Sequence, residues 1–214
     1  MAESTKLVLY YFCVSQPSRS IKLLLDEAEI EHEVKVLNLM AGEQKSEEFL
    51  KVNPGGQVPV LVDGDFVLPE GAAILEYIAS KHNLASWLGE DAKTQAKVHQ
   101  WMHWHHSATR KSTTALVRPA LVKKTDEAGA KAFADSVAHL EKHLSTVGPF
   151  LAGTGSPTIA DLLILPEIDQ LSVFGLFDFT PYPKVAEWSK AVQEALPRSY
   201  PANLAALQEF VNSM

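Results

Sequence analysis

The chain's first ordered pattern is "KLVLYYF" (residues 6–12), a short β-favouring apolar run that reads as a buried strand. "SQPSRSIKLLLDEAEI" follows with helical spacing. Ile21, Leu24 and Leu25 make an apolar stripe, Ser15 or Gln16 can cap, and Pro17 suits the first turn, where its missing N–H is no loss. "HEVKVLNL" is a second strand, which gives residues 6–39 the form of a βαβ unit. "SEEFLKVNPGG" is a short helix ended by Pro54 and two glycines. "QVPVLVDGDFVLPE" reads as a hairpin turning at Asp63-Gly64, and "GAAILEYIASKHN" as a helix ending near Asn83. These elements close a mixed α/β domain over residues 1–83. "LASWLGEDA" supplies a linker at 84–90, and residues 91–214 read as all helix, beginning with one long segment from Ala92 to Leu121.

Composition narrows the class. Of 214 residues 46% are hydrophobic, enough for packed domains. The net charge of −7 and the lack of a basic run argue against a nucleic-acid partner. No apolar stretch reaches the roughly 18 to 20 residues of a membrane span, so no membrane partner is expected. The N-terminus, "MAESTKLVLYYF", lacks the small-residue cleavage site of a secretion signal. One cysteine excludes an internal disulfide and fits a reducing compartment, so a cytoplasmic location is expected.

Candidate chemistry concentrates at residues 10–20, "YYFCVSQPSRS", where Tyr10, Tyr11, Cys13 and Ser15 each could carry a different reaction. Further along stand "NPGGQVPVL", "DGDFVLPEGAAIL", "WHHSATRKS" and "SPTIADL". With "SQPSRS", these motifs and the element order resemble the cytosolic glutathione S-transferases over almost the whole chain, most closely the serine-type theta and phi branches. The resemblance implies a thioredoxin-like first domain, an all-helical second domain, and glutathione as co-substrate, with no metal.

Glutathione chemistry needs a thiolate, and a free thiol has a pKa of roughly 8.5. The protein must therefore offer donors to the sulfur and partners at each end of the tripeptide. Ser15 sits where strand gives way to helix and matches the serine that donates to the sulfur in the theta pattern. A tyrosine donor at Tyr10 or Tyr11 and a redox role for Cys13 are the competing readings; tyrosine-type relatives follow their tyrosine with an Arg-Gly turn, and cysteine-type relatives place cysteine directly before proline. The resemblance further implies that the Val58–Pro59 bond is cis and that the Val58 backbone pairs with the cysteinyl unit. Gln57, Gln44 and Lys45 then face the glycine end.

At the γ-glutamyl end the family carries an acid followed by serine, and this chain has Glu70 followed by Gly71. The acid is present and the hydroxyl is lost. One hydrogen bond to a charged group is worth roughly 1.5 to 3 kcal/mol, about 10- to 100-fold in affinity, so weakened glutathione binding is the expectation.

In "HQWMHWHHSATR", His99, His103, His106 and Arg110 recur at four-, three- and four-residue spacing and fall on one face of a continuous helix. A zinc reading lacks an HExxH pattern and is opposed by Arg110. The resemblance instead implies an electrophile wall containing Trp104, His106 and Arg110, completed by loops and the C-terminal helix. Thr158 and Asp161 form an [ST]-x-x-[DE] capping box with a folding role. The resulting expectation is a homodimeric transferase acting on small hydrophobic electrophiles, with glutathione peroxidase activity secondary. The alternative is a non-catalytic binding or assembly module on the same fold.

Overall fold

The apolar run at the start of the chain forms strand β1 (Leu7–Tyr11), with Leu7, Leu9 and Tyr11 buried on one side. In the computed structural model residues 6–122, 124 and 126–214 are described; the expectation for the N-terminal stretch 1–5 lies outside them. Helix α1 (Gln16–Glu27) follows and returns the chain to β2 (His32–Val36), which pairs parallel to β1 from Leu7↔His32 to Tyr11↔Val36. Two 3-10 turns (Leu39–Ala41 and Glu43–Lys45) lead into the short helix α2 (Glu47–Val52). Strands β3 (Val60–Asp63) and β4 (Phe66–Pro69) make the hairpin, with Asp63 opposite Phe66. The turn residues are therefore Gly64-Asp65, one position later than the sequence pattern implies, because Gly64 takes the positive φ (64°) that the turn requires. Among the described residues the sheet order is β2-β1-β3-β4, parallel at β1/β2 and antiparallel elsewhere.

Helix α3 (Gly71–Lys81) closes the mixed domain, and both α1 and α3 lie against the helical half. The expected linker holds a single helical turn, α4 (Ala85–Leu88). The long predicted helix is divided into α5 (Ala92–Ser107) and α6 (Thr109–Ala120) at Ala108, whose φ/ψ of −111°/−90° is not helical. Hydrogen bonds from Ala108 N–H to Trp104 O and from Ser112 N–H to Ala108 O bridge the break, so the two run on with a kink. The break falls between His106 and Arg110. Then come α7 (Glu127–Val147), α8 (Ile159–Val173), α9 (Pro183–Glu194) and α10 (Tyr200–Asn212).

Helix α8 is buried on every side from Ile159 to Leu171 and forms the centre of the molecule. It carries its polar residues inward, and they bind the two halves together. Arg19 of α1, fully buried, donates from Nη2 to the Pro166 carbonyl (2.6 Å) and to Gln170 Oε1 (3.0 Å). Gln170 returns a bond from Nε2 to the Val14 carbonyl (3.1 Å). Arg19 is thus a structural residue. The Thr158–Asp161 capping box forms as the motif predicts, with Asp161 Oδ2 accepting from Thr158 N–H (2.8 Å) and Oγ1 (2.9 Å).

Candidate active site

A cavity of about 490 Å³ opens between the mixed domain and the helices, within the usual range for small-molecule sites. Its floor is the β1–α1 junction. Ser15, at 7% exposure, caps α1 in extended backbone (φ −82°, ψ 106°). Its Oγ accepts from Ser18 Oγ–H at 2.9 Å and, more weakly, from Ser18 N–H at 3.4 Å. A hydroxyl has two acceptor lone pairs and one proton. Ser15 lines the cavity at the start of α1, where its hydroxyl can rotate to donate to a bound anion.

The competing candidates lie elsewhere. Tyr10 packs on Phe49 with ring centroids 5.3 Å apart, and burial pushes the Tyr11 phenol up to about 12. Burial also pushes the Cys13 thiol up, which opposes thiolate formation. None of the three lines the cavity, and Ser15 does.

The second wall is the loop before the hairpin. Asn53 donates from Nδ2 to the Gln57 carbonyl (2.8 Å) and accepts from Gly55 N–H (3.0 Å), which fixes the turn carrying Gln57 and Val58. The Val58–Pro59 bond is cis. Val58 precedes the first ladder residue, Val60, so its N–H and C=O stay outside the sheet pairing and at the cavity. Gln44 lines the same wall with a buried Oε1 that has no hydrogen-bond partner among the described residues. Lys45 does not line the cavity directly; its Nζ lies over Gly56, within 2.6 Å of where a Cβ on that glycine would sit.

The third wall is the start of α3. Glu70 is its N-cap residue at φ 75°, ψ 110°, a conformation that costs a side-chain-bearing residue about 1–3 kcal/mol. Its side chain makes no capping bond and stands exposed at the cavity. The first N–H groups of α3, from Gly71 and Ala72, thus meet the cavity without a side-chain cap. The absence of a side chain at residue 71 has a steric cause. A Cβ there would lie 2.7 Å from Pro17 Cβ. Gly71 lets the N-termini of α1 and α3 abut, and both helix dipoles favour an anion between them.

The helical side contributes His105, His106 and Arg110. Glu167, fully buried on α8, accepts from Thr113 Oγ1, stands 2.9 Å from His105 Nε2 and 3.5 Å from Arg110 Nη1. Burial alone would raise its pKa; Arg110, His105 and Thr113 outweigh that and hold it below the ordinary glutamate value. Arg110 Nη1 also donates to Gln16 Oε1 at 2.6 Å, so the arginine joins α8 to the residue beside Ser15. Partial burial, with His105 beside it, lowers the His106 pKa, and Glu70 opposes the shift.

Trp104 is not brought to the cavity. It packs on Trp101 (5.0 Å) and stacks on His139 (5.3 Å), on the side of α5 that faces α7. The C-terminal helix α10 contributes no lining residue among those described; Thr114, Val117, Arg118 and Leu121 of α6 and Leu163 of α8 stand there instead. Among the described residues no group of three or more His, Cys, Asp or Glu could hold a metal. Gln16, His105 and Glu167 were not singled out by the sequence. For Glu167 a signal exists: an acid inside the apolar run "LLILPEIDQL" must be paired when buried.

The geometry agrees with what the chain resembles. Residues 6–80 match the family model for the glutathione S-transferase N-terminal domain. Human glutathione S-transferase theta-2 is 32% identical over 200 residues, which cover 89% of this chain and 82% of the human protein. Glutathione S-transferase T1 of Arabidopsis thaliana is 32% identical over 209 residues, covering 89% and 84%. The crystal structure of human glutathione transferase theta-2, in complex with glutathione and an unknown ligand, superposes with a TM-score of 0.89 at 30% identity over 97% of this chain and 89% of that one. On that sequence and structural likeness, the chain belongs to the glutathione S-transferase family.

Proposed function

We propose that this chain takes glutathione as co-substrate and conjugates its thiolate to small hydrophobic electrophiles, with Ser15 as the donor to the sulfur. One observation carries this reading: Ser15 caps α1 on the cavity floor, where its hydroxyl can donate to a bound sulfur. A thiolate placed there receives that hydrogen bond and the field of the α1 N-terminus together. The cysteinyl backbone pairs with Val58 beside Pro59. Gln57, Gln44 and Lys45 meet the glycine end, where amide N–H groups and the Lys45 ammonium donate to the carboxylate. Glu70 takes the γ-glutamyl amine, and the Gly71 N–H takes the carboxylate. His106 and Arg110 face the electrophile, and Trp104 is assigned to packing.

The boundaries we favour are residues 1–83 for the glutathione-binding domain, 84–90 for the linker and 91–214 for the electrophile-binding domain. A cytoplasmic homodimer fits the single cysteine and the exposed edge strand β4, where Phe66 and Val67 are 44% and 40% exposed. Among the described residues no helix is long and apolar enough to cross a membrane.

Calorimetry with glutathione, paired with mass detection of a thioether product from a neutral benzyl halide, tests the reading. Binding in the micromolar to millimolar range with product formation is expected. Neither binding nor product at millimolar glutathione would return the chain to a binding or assembly role.

Gly71 gives a sharper expectation. If the missing hydroxyl weakens binding, Gly71→Ser should improve it. The contact with Pro17 implies the opposite, because the proline ring cannot swing aside and overpacking typically costs about 1–3 kcal/mol. Gly71→Ser is expected to raise the KM for glutathione about ten-fold, measured by initial rates. A KM lower than that of the unaltered protein would show that α3 yields easily and the hydroxyl is what was lacking.

A further inference from the structure

The cavity wall opposite glutathione's cradle is one stripe of α6: Arg110, Thr114, Val117 and Arg118, continued by Leu121 at its C-cap. These recur at four-, three-, one- and three-residue steps, the spacing of a single helical face. Two cations, Arg110 and Arg118, stand on either side of Thr114 and Val117. The two cations differ. Arg110 is neutralised by Glu167 and tethered to Gln16 beside Ser15, so it marks the reacting end. Arg118 has no hydrogen bond or ion pair among the described residues, although the chain carries a net charge of −7. Its position in the last turn suits the helix dipole but uses none of its five N–H donors. Eight residues at 1.5 Å rise place it about 12 Å along the helix from Arg110.

We infer that Arg118 selects electrophiles that carry a carboxylate about 12 Å from the reacting carbon, joined to it by an apolar body. The planar guanidinium fork matches a carboxylate, and Val117 and Leu163 suit an apolar body between. In the conjugation itself, the glutathione sulfur bonds to the electrophilic carbon as the bond to the leaving group breaks, and that group departs with the electron pair. Arg118 touches no reacting atom; it sets which molecules present their carbon to the sulfur. The inference rests on the transferase reading and names its substrate class.

The test compares a benzyl bromide bearing a para-alkanoate chain long enough to span that distance with its methyl ester, each with glutathione at low ionic strength. The unaltered protein is expected to prefer the acid about five-fold in kcat/KM, the worth of one partly screened ion pair. The preference should fade as salt rises, since the Debye length falls to about 8 Å at 0.15 M. The acid-to-ester ratio should approach one in Arg118→Ala, invert in Arg118→Glu and persist in Arg118→Lys. A ratio of one in the unaltered protein, or a ratio that survives Arg118→Ala, overturns the inference while leaving the transferase reading intact. A change confined to the KM for glutathione in Arg118→Ala also overturns it, by assigning Arg118 to the tripeptide. Absence of thioether from both compounds contradicts the transferase reading itself.

Discussion

Replacing Ser15 with alanine is expected to cut kcat/KM at neutral pH about 10- to 100-fold, the worth of one hydrogen bond to a charged partner. Glutathione affinity should move much less, because the tripeptide's ends are held by other groups. The pH dependence carries the mechanism. A donor to the thiolate favours the charged form and lowers the bound thiol pKa; removing the donor raises it again. At 1.36 kcal/mol per unit, a loss of 1.5–3 kcal/mol displaces the rising limb of the rate profile by about one to two units toward alkaline pH. The variant should therefore approach the unaltered protein above that limb and fall furthest behind below it. A rate loss of the same factor at every pH would mean that Ser15 positions glutathione without lowering its thiol pKa.

Asp161→Ala is expected to destabilise the protein by about 4 kcal/mol or more, among the largest effects open to a single substitution. The carboxylate is fully buried and accepts from Leu151 N–H (2.9 Å), Thr158 N–H (2.8 Å), Thr158 Oγ1 (2.9 Å) and Trp188 Nε1 (2.8 Å). Burial raises its pKa, and these donors pull against that rise. Alanine would orphan all four donors, each at about 1–3 kcal/mol where water cannot replace the partner. It would also open the N-terminus of α8, the helix that Arg19 and Gln170 tie to the mixed domain. Against a typical stability of about 5–15 kcal/mol, much of the chain should then be unfolded at moderate temperature. Urea denaturation measures this directly. A loss under about 1.5 kcal/mol, no more than one ordinary hydrogen bond, would show that the network is redundant.

Much of this architecture was legible because its determinants are local. The strand–cap–proline order around Ser15, the Thr158–Asp161 box and the hairpin depend on residues a few positions apart. The preference for Ser15 over Cys13 came from the resemblance, since the residues alone fit an N-cap equally well. What could not be read depends on pairs distant in sequence. The break at Ala108 has no proline or glycine to announce it, and nothing local shows that Trp104 packs on Trp101 and His139 instead of lining the cavity. The buried set of Glu167, His105 and Thr113 joins residues more than fifty positions apart. Gly71 reads from sequence as a missing hydroxyl; its contact with Pro17, 54 residues earlier, gives it a steric reason. Arg118 is indistinguishable in sequence from any surface arginine until α6 is seen to line the cavity.

The proposed role of Ser15 is to stabilise the glutathione thiolate through its hydroxyl at the start of α1. Ultraviolet titration of the thiolate in the protein–glutathione complex tests it most directly. The account predicts a bound thiol pKa at least one unit below the roughly 8.5 of a free thiol, returning toward that value in Ser15→Ala. A bound pKa equal to that of free glutathione in the unaltered protein would contradict it.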